Sequence, residues 1–430
     1  MAVLASASPP QRLALRLPRA LLDPARPDLA CGDGDGLLAV ELQIAAGRIA
    51  AIRPLPPGQM PLPLAITPPL DAHVHLDKAF SWAEGFANRG GTMAGAMAAN
   101  LQEGQQRSEE QVLLRGERAL DQAWRYGLRG LRSHIDSGAA CSEPSWRALL
   151  ELQQRWRDRL ALQLVALAPL DQWGSADGLA LARRVAAADG LLGGVLGPPF
   201  PRAGRDRQAL QQLLQLAAEL GCGIDLHIDE AGDSPGSGVR LLLELLEQWR
   251  PPVPITCSHA CSMALLPLPA RQRLAERLAA LEVSVVALPT TNAWLLGREG
   301  EFTAPQRPLA PLQVLQQAGV AVAIGADNVQ DPWYPGNDFD PLELLRLACR
   351  ATHCPPWQRQ GLMPFVQVPA RLLQLPWDGI VRVGAPADLL ITGASSWSEL
   401  LARPPQRRVL RQARATRPRK SSPPRRICAS

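Results

Sequence analysis

The chain has 430 residues, 47% hydrophobic and 20% charged, enough to bury a large core as roughly two or three domains or one barrel with a satellite; disorder and a mini-protein are excluded. Its net charge of +5 is carried almost wholly by arginine, lysine occurring only at Lys78 and Lys420, which reads as a compositional bias and argues against nucleic acid as a partner. No stretch of about 18 uninterrupted apolar residues occurs, which argues against a helical membrane span.

The first 22 residues are Arg-rich and acid-free and read as a ragged N-terminus. Residues 12–54 hold short alternating pieces, LALRLPRALL and LLAVELQIAAGRIAAIRPL, that suit strands and tight turns around Gly47. From about residue 66 to residue 330, eight apolar runs ending in polar residues alternate with segments of helical spacing. The runs are AITPPLDAHVH, LRGLRSHID, LALQLVALAP, LLGGVLGPP, GIDLHID, ITCSHA, VSVVALPTTN and VAVAIGADN. Between them, SEEQVLLRGERALDQAWRYG opens on Ser108 with Gln111 three residues on, a capping-box signal, and DRQALQQLLQLAAELG stops at Gly221. Strands alternating with helices of about 10–18 residues call for parallel βαβ units, and eight of them predict an α/β fold, a (β/α)8 barrel.

After the barrel, GIVRVGAPADLLITG at 379–393 has the character of the N-terminal pieces. Each flank is too short to bury a face alone, so the two are expected to pair into one small sheet domain. The predicted division is 1–66 for the N-terminal part of that domain, 67–369 for the barrel, 370–415 for the C-terminal part, and 416–430 for a disordered basic tail. Eight cysteines (Cys31, Cys141, Cys222, Cys257, Cys261, Cys349, Cys354, Cys428) at irregular spacing, without a secretory segment, predict free thiols in a reducing cytoplasm. CSHAC and CRATHC lack paired C-x2-C spacing, which sets a zinc knuckle aside.

Functional groups of a barrel gather at the C-terminal ends of its strands. Five of six histidines fall there: His73 and His75 on run one, His134 on run two, His227 on run five and His259 on run six. Alternate strand residues share a face, so His73 and His75 project together as a two-point grip on a cation; taken alone, two satisfied structural histidines are the alternative. His227 and Asp327 from other strand ends complete three imidazoles and a carboxylate, a set suited to Zn2+ or Fe2+ with one position open for water. No lysine lies between Lys78 and Lys420 to bridge two metals as a carbamate, so a single ion is the simpler expectation. Glu230, three residues past His227, is placed to carry protons between water and substrate, a surface glutamate being the alternative. Asp229 and Asp233 read as loop-forming acids, and Cys257 and Cys261 as packing. His259 either orients the attacking hydroxide or caps a helix.

HVHLDK, HIDE, SHACSM and GADNVQDPWYPGN, with GRIAAI and VGAPADLLI around them, resemble the successive motifs of the amidohydrolase superfamily, specifically its cytosine deaminase-like branch, over roughly residues 40–395. The resemblance implies a TIM-type barrel with a small β-sandwich domain formed from the N- and C-terminal segments. It implies one Fe2+ or Zn2+ held by His73, His75, His227 and Asp327. Asp327 would also take the proton of the metal water, Glu230 would protonate the ring nitrogen next to the attacked carbon, and His259 would hold the hydroxide. Trp333 matches a tryptophan that shapes the substrate pocket, an aromatic plug being the alternative.

Three departures from that branch bear on the substrate. Asn328 stands where cytosine deaminases carry a second aspartate, and an amide both donates and accepts. Pro169 and Gln172 stand near a Phe-Pro-Gln segment whose glutamine reads the pyrimidine edge, and Lys78 replaces a threonine. These point away from cytosine itself. Asn328, Trp333 and Gln172 are the candidate substrate-binding residues. The expected function is hydrolytic deamination of a cytosine-like nitrogen heterocycle through a metal-bound hydroxide. Release of an N-alkyl amine from a triazine-type substrate, or opening of a cyclic amide, is the alternative, and an inactive barrel serving as a binding protein a third. The expected partner is a small heterocycle, with no nucleic acid and no membrane; a homo-oligomer is left open.

Overall fold

The computed structural model describes residues 11–29, 32–56, 61–138, 141–198, 204–298, 302–358, 360–411 and 414–415. The expected basic tail at 416–430, together with Cys31 and Cys428, lies outside the described residues.

The N-terminal alternation forms an antiparallel sheet of β1 (Gln11–Pro18), β2 (Leu37–Ala45) and β3 (Arg48–Pro54). β2 and β3 join through Ala46 and Gly47, both at positive φ (48° and 75°), as a two-residue hairpin turn requires. Run one forms two strands instead of one, β4 (Ala65–Ile66) and β5 (Asp71–Val74), separated by Pro68 and Pro69. Proline has no amide proton to give a ladder, so the apolar run breaks there.

β5 is followed by β6 (Gly130–Asp136), β7 (Ala161–Ala168), β8 (Leu191–Leu196), β9 (Gly223–Ile228), β10 (Ile255–His259), β11 (Ser284–Ala287) and β12 (Val322–Ile324). These eight strands neighbour one another in chain order in a single parallel sheet, the expected barrel. The seam between the first and last strands is closed by backbone and side chain. Asp327 N donates to His73 O at 2.8 Å, and Ala326 N donates to the Asp71 carboxylate at 3.1 and 3.2 Å. Gly325 permits this approach, because a Cβ there would lie 2.9 Å from His73 O.

β13 (Leu389–Thr392), β14 (Arg407–Arg411) and β15 (Arg414–Ala415) add to β4 in a second antiparallel sheet, in the order β15-β14-β13-β4. Leu15, Leu17, Val40 and Leu42 of the first small sheet pack in one buried cluster with Leu389, Ile391 and Leu410 of the second, so the two flanks do share a core.

Two helices, α1 (Met93–Gln106) and α2 (Glu109–Tyr126), connect β5 to β6. α2 begins with the expected capping box: Ser108 Oγ accepts from Gln111 N at 3.2 Å, and Gln111 Oε1 accepts from Ser108 N at 2.9 Å. Next come α3 (Ser142–Trp156), α4 (Ala176–Ala187), α5 (Arg205–Leu220) and α6 (Ser237–Gln248). α5 ends at Gly221, whose φ of 67° suits a left-handed cap. Among the described residues no helix is long and apolar enough to cross a membrane.

Candidate active site

The barrel's alternation brings five histidines to one place. The ring of His73 lies 5.2 Å from that of His75, 4.7 Å from His227 and 5.6 Å from His259, and it stacks on His134 at 3.7 Å. His73 Nε2 and His75 Nε2 lie 3.6 and 3.3 Å from Asp327 Oδ1. His73, His75 and His227 offer ligand atoms all within 4.8 Å of one another, as do His73, His259 and Asp327.

The donor chemistry fits a cation. His73 Nε2, His227 Nδ1 and both Asp327 oxygens are buried with no hydrogen-bond partner. An unsatisfied buried polar atom costs about 1–3 kcal/mol, and a metal ion shared among these atoms removes that cost. Burial first, then the charges of neighbouring imidazoles, pushes His73 and His227 well below the ordinary histidine range, so both rings are neutral and free to ligate. For Asp327, burial would raise its carboxyl, but contacts to His75 and His259 outweigh it and hold the carboxyl lowered.

The site's strand ends are bent to aim their side chains. Asp229, His259 and Asp327 adopt φ of 54°, 71° and 64°, a region that costs a non-glycine residue about 1–3 kcal/mol and gathers at functional sites. Asp229 is more than a loop-forming acid: buried, it accepts from Gly238 N at 2.7 Å and Val239 N at 2.9 Å and so caps α6. That cap fixes the turn carrying Glu230. Burial, reinforced by the charge of Asp327, pushes the Glu230 carboxyl well above its ordinary range. Its Oε2 lies 3.5 Å from His259 Nε2. Asn292 Nδ2 sits 3.0 Å from His259 Nδ1. Donation from that amide leaves the His259 proton on Nε2, facing Glu230. His259 itself is pushed down to about 4 by burial, despite the pull of Asp327.

His75, His227, Glu230, His259 and Asp327 line a cavity of about 560 Å3, within the usual range for a small-molecule site of about 300–1,000 Å3. Asn328 and Trp333 line it, as expected from the sequence, and Asn328 Nδ2 donates to Asp331 Oδ2 at 2.8 Å. Gln172 does not line it. Pro169 starts a one-turn 3-10 helix at Leu170–Gly174 that carries Gln172 aside, and its Nε2 donates to Ser137 O at 3.2 Å.

The opposite wall has residues the sequence left without a role. Lys78 Nζ pairs with Asp136 Oδ1 at 2.7 Å, and α1 contributes Met97, Asn100 and Leu101. Burial would raise the Asp136 carboxyl, but Lys78 and Arg107 outweigh it and hold the carboxyl far below its ordinary range. A downward shift in the folded state contributes stability above the unfolded value of about 4, and that stability is lost as the pH falls below it. Denaturation at a series of pH values is expected to show a flatter acid loss for Asp136→Asn than for the unaltered protein. Parallel curves would contradict the pairing.

Beneath His73 runs a buried chain. Ser258 Oγ lies 2.8 Å from His73 Nδ1 and donates to Asp225 Oδ1 at 2.7 Å, while Arg132 Nη1 donates to Asp225 Oδ2 at 2.7 Å. Outer partners of this kind fix which ring nitrogen is free to bind, and their loss costs metal affinity about 10–100-fold. Asp225→Asn is expected to lower metal affinity by that factor in a chelator competition titration; unchanged affinity would show that Ser258 holds His73 unaided. In the sequence Asp225 and Ser258 were unremarkable strand residues, and no spacing signal links two residues 33 positions apart.

The amidohydrolase family profile matches residues 77–417. A pterin deaminase of Rhizobium rhizogenes (strain K84) is 34% identical over 389 residues, covering 87% of each chain. N-isopropylammelide isopropyl amidohydrolase of Pseudomonas sp. (strain ADP) is 23% identical over 337 residues, 76% of this chain and 79% of that one. Among solved structures, 5-methylcytosine deaminase from Klebsiella pneumoniae liganded with phosphonocytosine superposes with a TM-score of 0.79 at 23% identity, over 96% of this chain and 99% of the other. N-isopropylammelide isopropylaminohydrolase from Burkholderia multivorans superposes with a TM-score of 0.71 at 24% identity, over 94% and 98%. At these identities the superpositions show the barrel fold.

Proposed function

The chain belongs to the amidohydrolase family, and from that membership we propose that it hydrolytically deaminates an amino-substituted bicyclic heterocycle of the pterin class at a single Fe2+ or Zn2+ ion. It is a hydrolase of carbon–nitrogen bonds other than peptide bonds. The observation that carries the deaminase reading is Glu230: a carboxyl 3.5 Å from His259 Nε2, on the wall of the same cavity that His75, His227 and Asp327 line, with partnerless His227 and Asp327 atoms beside it. The pterin class is supported by the relative at 34% identity and by a cavity of about 560 Å3. The six described cysteines are free, which favours a reducing, cytoplasmic setting.

His73, His75, His227 and Asp327 would hold the cation. A divalent ion bound there supplies a water that ionises near neutral pH. Asp327, whose carboxyl is held lowered, would be the acceptor for the proton of the attacking water. Glu230 would give its proton to the ring nitrogen beside the attacked carbon, making that carbon electrophilic as its bond to oxygen forms; the proton held by Asp327 would pass to the amino group, which leaves as ammonia when the C–N bond breaks, and the added hydroxyl would return its proton to Glu230. The His259 Nε2 proton, oriented by Asn292, points at the oxygen being added.

Ammonia and amine release should be measured with pterin, cytosine and N-isopropylammelide, before and after chelation. Ammonia from pterin, abolished by the chelator, is the expected result. Isopropylamine from N-isopropylammelide with no ammonia from pterin would replace deamination by amine release.

A further inference from the structure

The cavity wall facing Glu230 holds polar groups that the deamination chemistry does not use. Lys78 follows the two ligand histidines on the turn after β5, and its side chain is only 3% exposed. An ammonium has three N–H donors. One goes to Asp136 Oδ1 at 2.7 Å, and among the described residues the ammonium makes no other hydrogen bond. Asp136 Oδ2 also accepts from Arg107 Nη2 at 3.1 Å and Asn100 Nδ2 at 3.3 Å. The contact to a carboxylate requires the amide NH2 of Asn100 to face Asp136, which leaves Asn100 Oδ1 as an acceptor. That oxygen is buried and without a partner.

Lys78, Asp136 and Asn100 all line the cavity, whose neighbouring wall is apolar with Leu167 and Val195. Two spare ammonium donors beside one buried, unpartnered amide oxygen are matched when a ligand supplies the complement. The complement of a donor next to an acceptor is a carbonyl next to an N–H, the cis-lactam edge of an oxo-substituted ring.

We infer that Lys78 and Asn100, held in register by Asp136, read the lactam edge of the substrate, Lys78 donating to the ring carbonyl and Asn100 Oδ1 accepting the ring N–H. This rests on the deaminase reading above and assigns its selectivity: amino-oxo rings are taken in preference to diamino rings, whose amino group turns a donor toward Lys78. Lys78 is charged for this task, its ammonium pKa raised because Asp136 and Asp77 outweigh burial.

The test compares 2-amino-4-oxopteridine with 2,4-diaminopteridine on the metal-replete 430-residue chain. The unaltered enzyme is expected to favour the oxo compound by at least about a hundredfold in kcat/KM, since a site built for a hydrogen bond discriminates strongly against an analogue that cannot make it. Lys78→Met is expected to lower kcat/KM on the oxo compound by roughly ten- to a hundredfold, the worth of a charged hydrogen bond, and to lower it less on the diamino compound. Asn100→Ala, at a half-buried position on α1, is expected to narrow the ratio in the same direction and keeps the test open should the lysine variant not fold. Metal content should be unchanged in both. Equal turnover of the two compounds by the unaltered enzyme, or a ratio that neither variant moves, overturns the lactam edge and leaves the deaminase reading standing. Turnover of neither compound sinks both.

Discussion

Glu230→Gln is expected to lower kcat by about 10²- to 10⁴-fold while the bound metal stays in place. Glutamine keeps the shape of the side chain and its contacts to Asn292 and His259, at 3.5 Å each, but has no proton to transfer. Glu230 stands outside all three ligand groupings among the described residues, in which His73 joins His75 and His227, His259 and Asp327, or His134 and Asp225, so its role is separable from metal binding. Steady-state kinetics with metal analysis of the same preparation checks this. Loss of metal together with activity would make Glu230 a ligand; unchanged kcat would leave proton delivery to another group.

Arg107→Met is expected to destabilise the fold by about 3–5 kcal/mol, the cost of stranding buried charges. Arg107 lies at the end of α1 and is fully enclosed, as are Asp77 and Glu103. It donates to Asp77 Oδ2 at 2.6 Å, Glu103 Oε2 at 2.9 Å, Ser145 Oγ at 3.2 Å and Asp136 Oδ2 at 3.1 Å. Asp77 Oδ2 in turn accepts from Asp136 N at 2.9 Å. One guanidinium therefore ties α1, α3, the turn after β5 and the end of β6, the pieces that build the Lys78 wall. Replacing it leaves two carboxylates without their main cation, although Arg115 still reaches Glu103 Oε1 at 2.5 Å. A denaturant midpoint shift of the stated size is the check, and Glu103→Gln in the same background should restore part of it. A midpoint unchanged within error would contradict the account.

The barrel was legible because strand and helix periods differ, and each of the eight runs became a barrel strand. Run one was read too long: Pro68 and Pro69 inside it end the small sheet's β4 before the barrel's β5 begins. α1 escaped notice for a physical reason. Only Ala96 and Glu103 of its residues are buried, so it shows no apolar stripe, yet it forms a wall of the cavity. The histidines were legible through the two-residue strand period and the position of each run's end. Gln172 went astray because a linear offset from strand three takes no account of the 3-10 turn that Pro169 initiates. Asn292, the last residue of run seven, lies on the short helix Pro289–Leu295 that follows β11, from which it orients His259; its place just past a barrel strand was a signal in the sequence. The pairing of Lys78 with Asp136 had none, since residues 58 apart meet only when β5 and β6 lie side by side.

Metal content measured beside ammonia release on the same protein tests the central claim most directly. One divalent ion per chain, loss of pterin deamination when it is removed, and recovery on adding Fe2+ or Zn2+ is the expected result. Full ammonia release from metal-free protein, or a metal-replete protein that releases ammonia from no amino heterocycle, would contradict it.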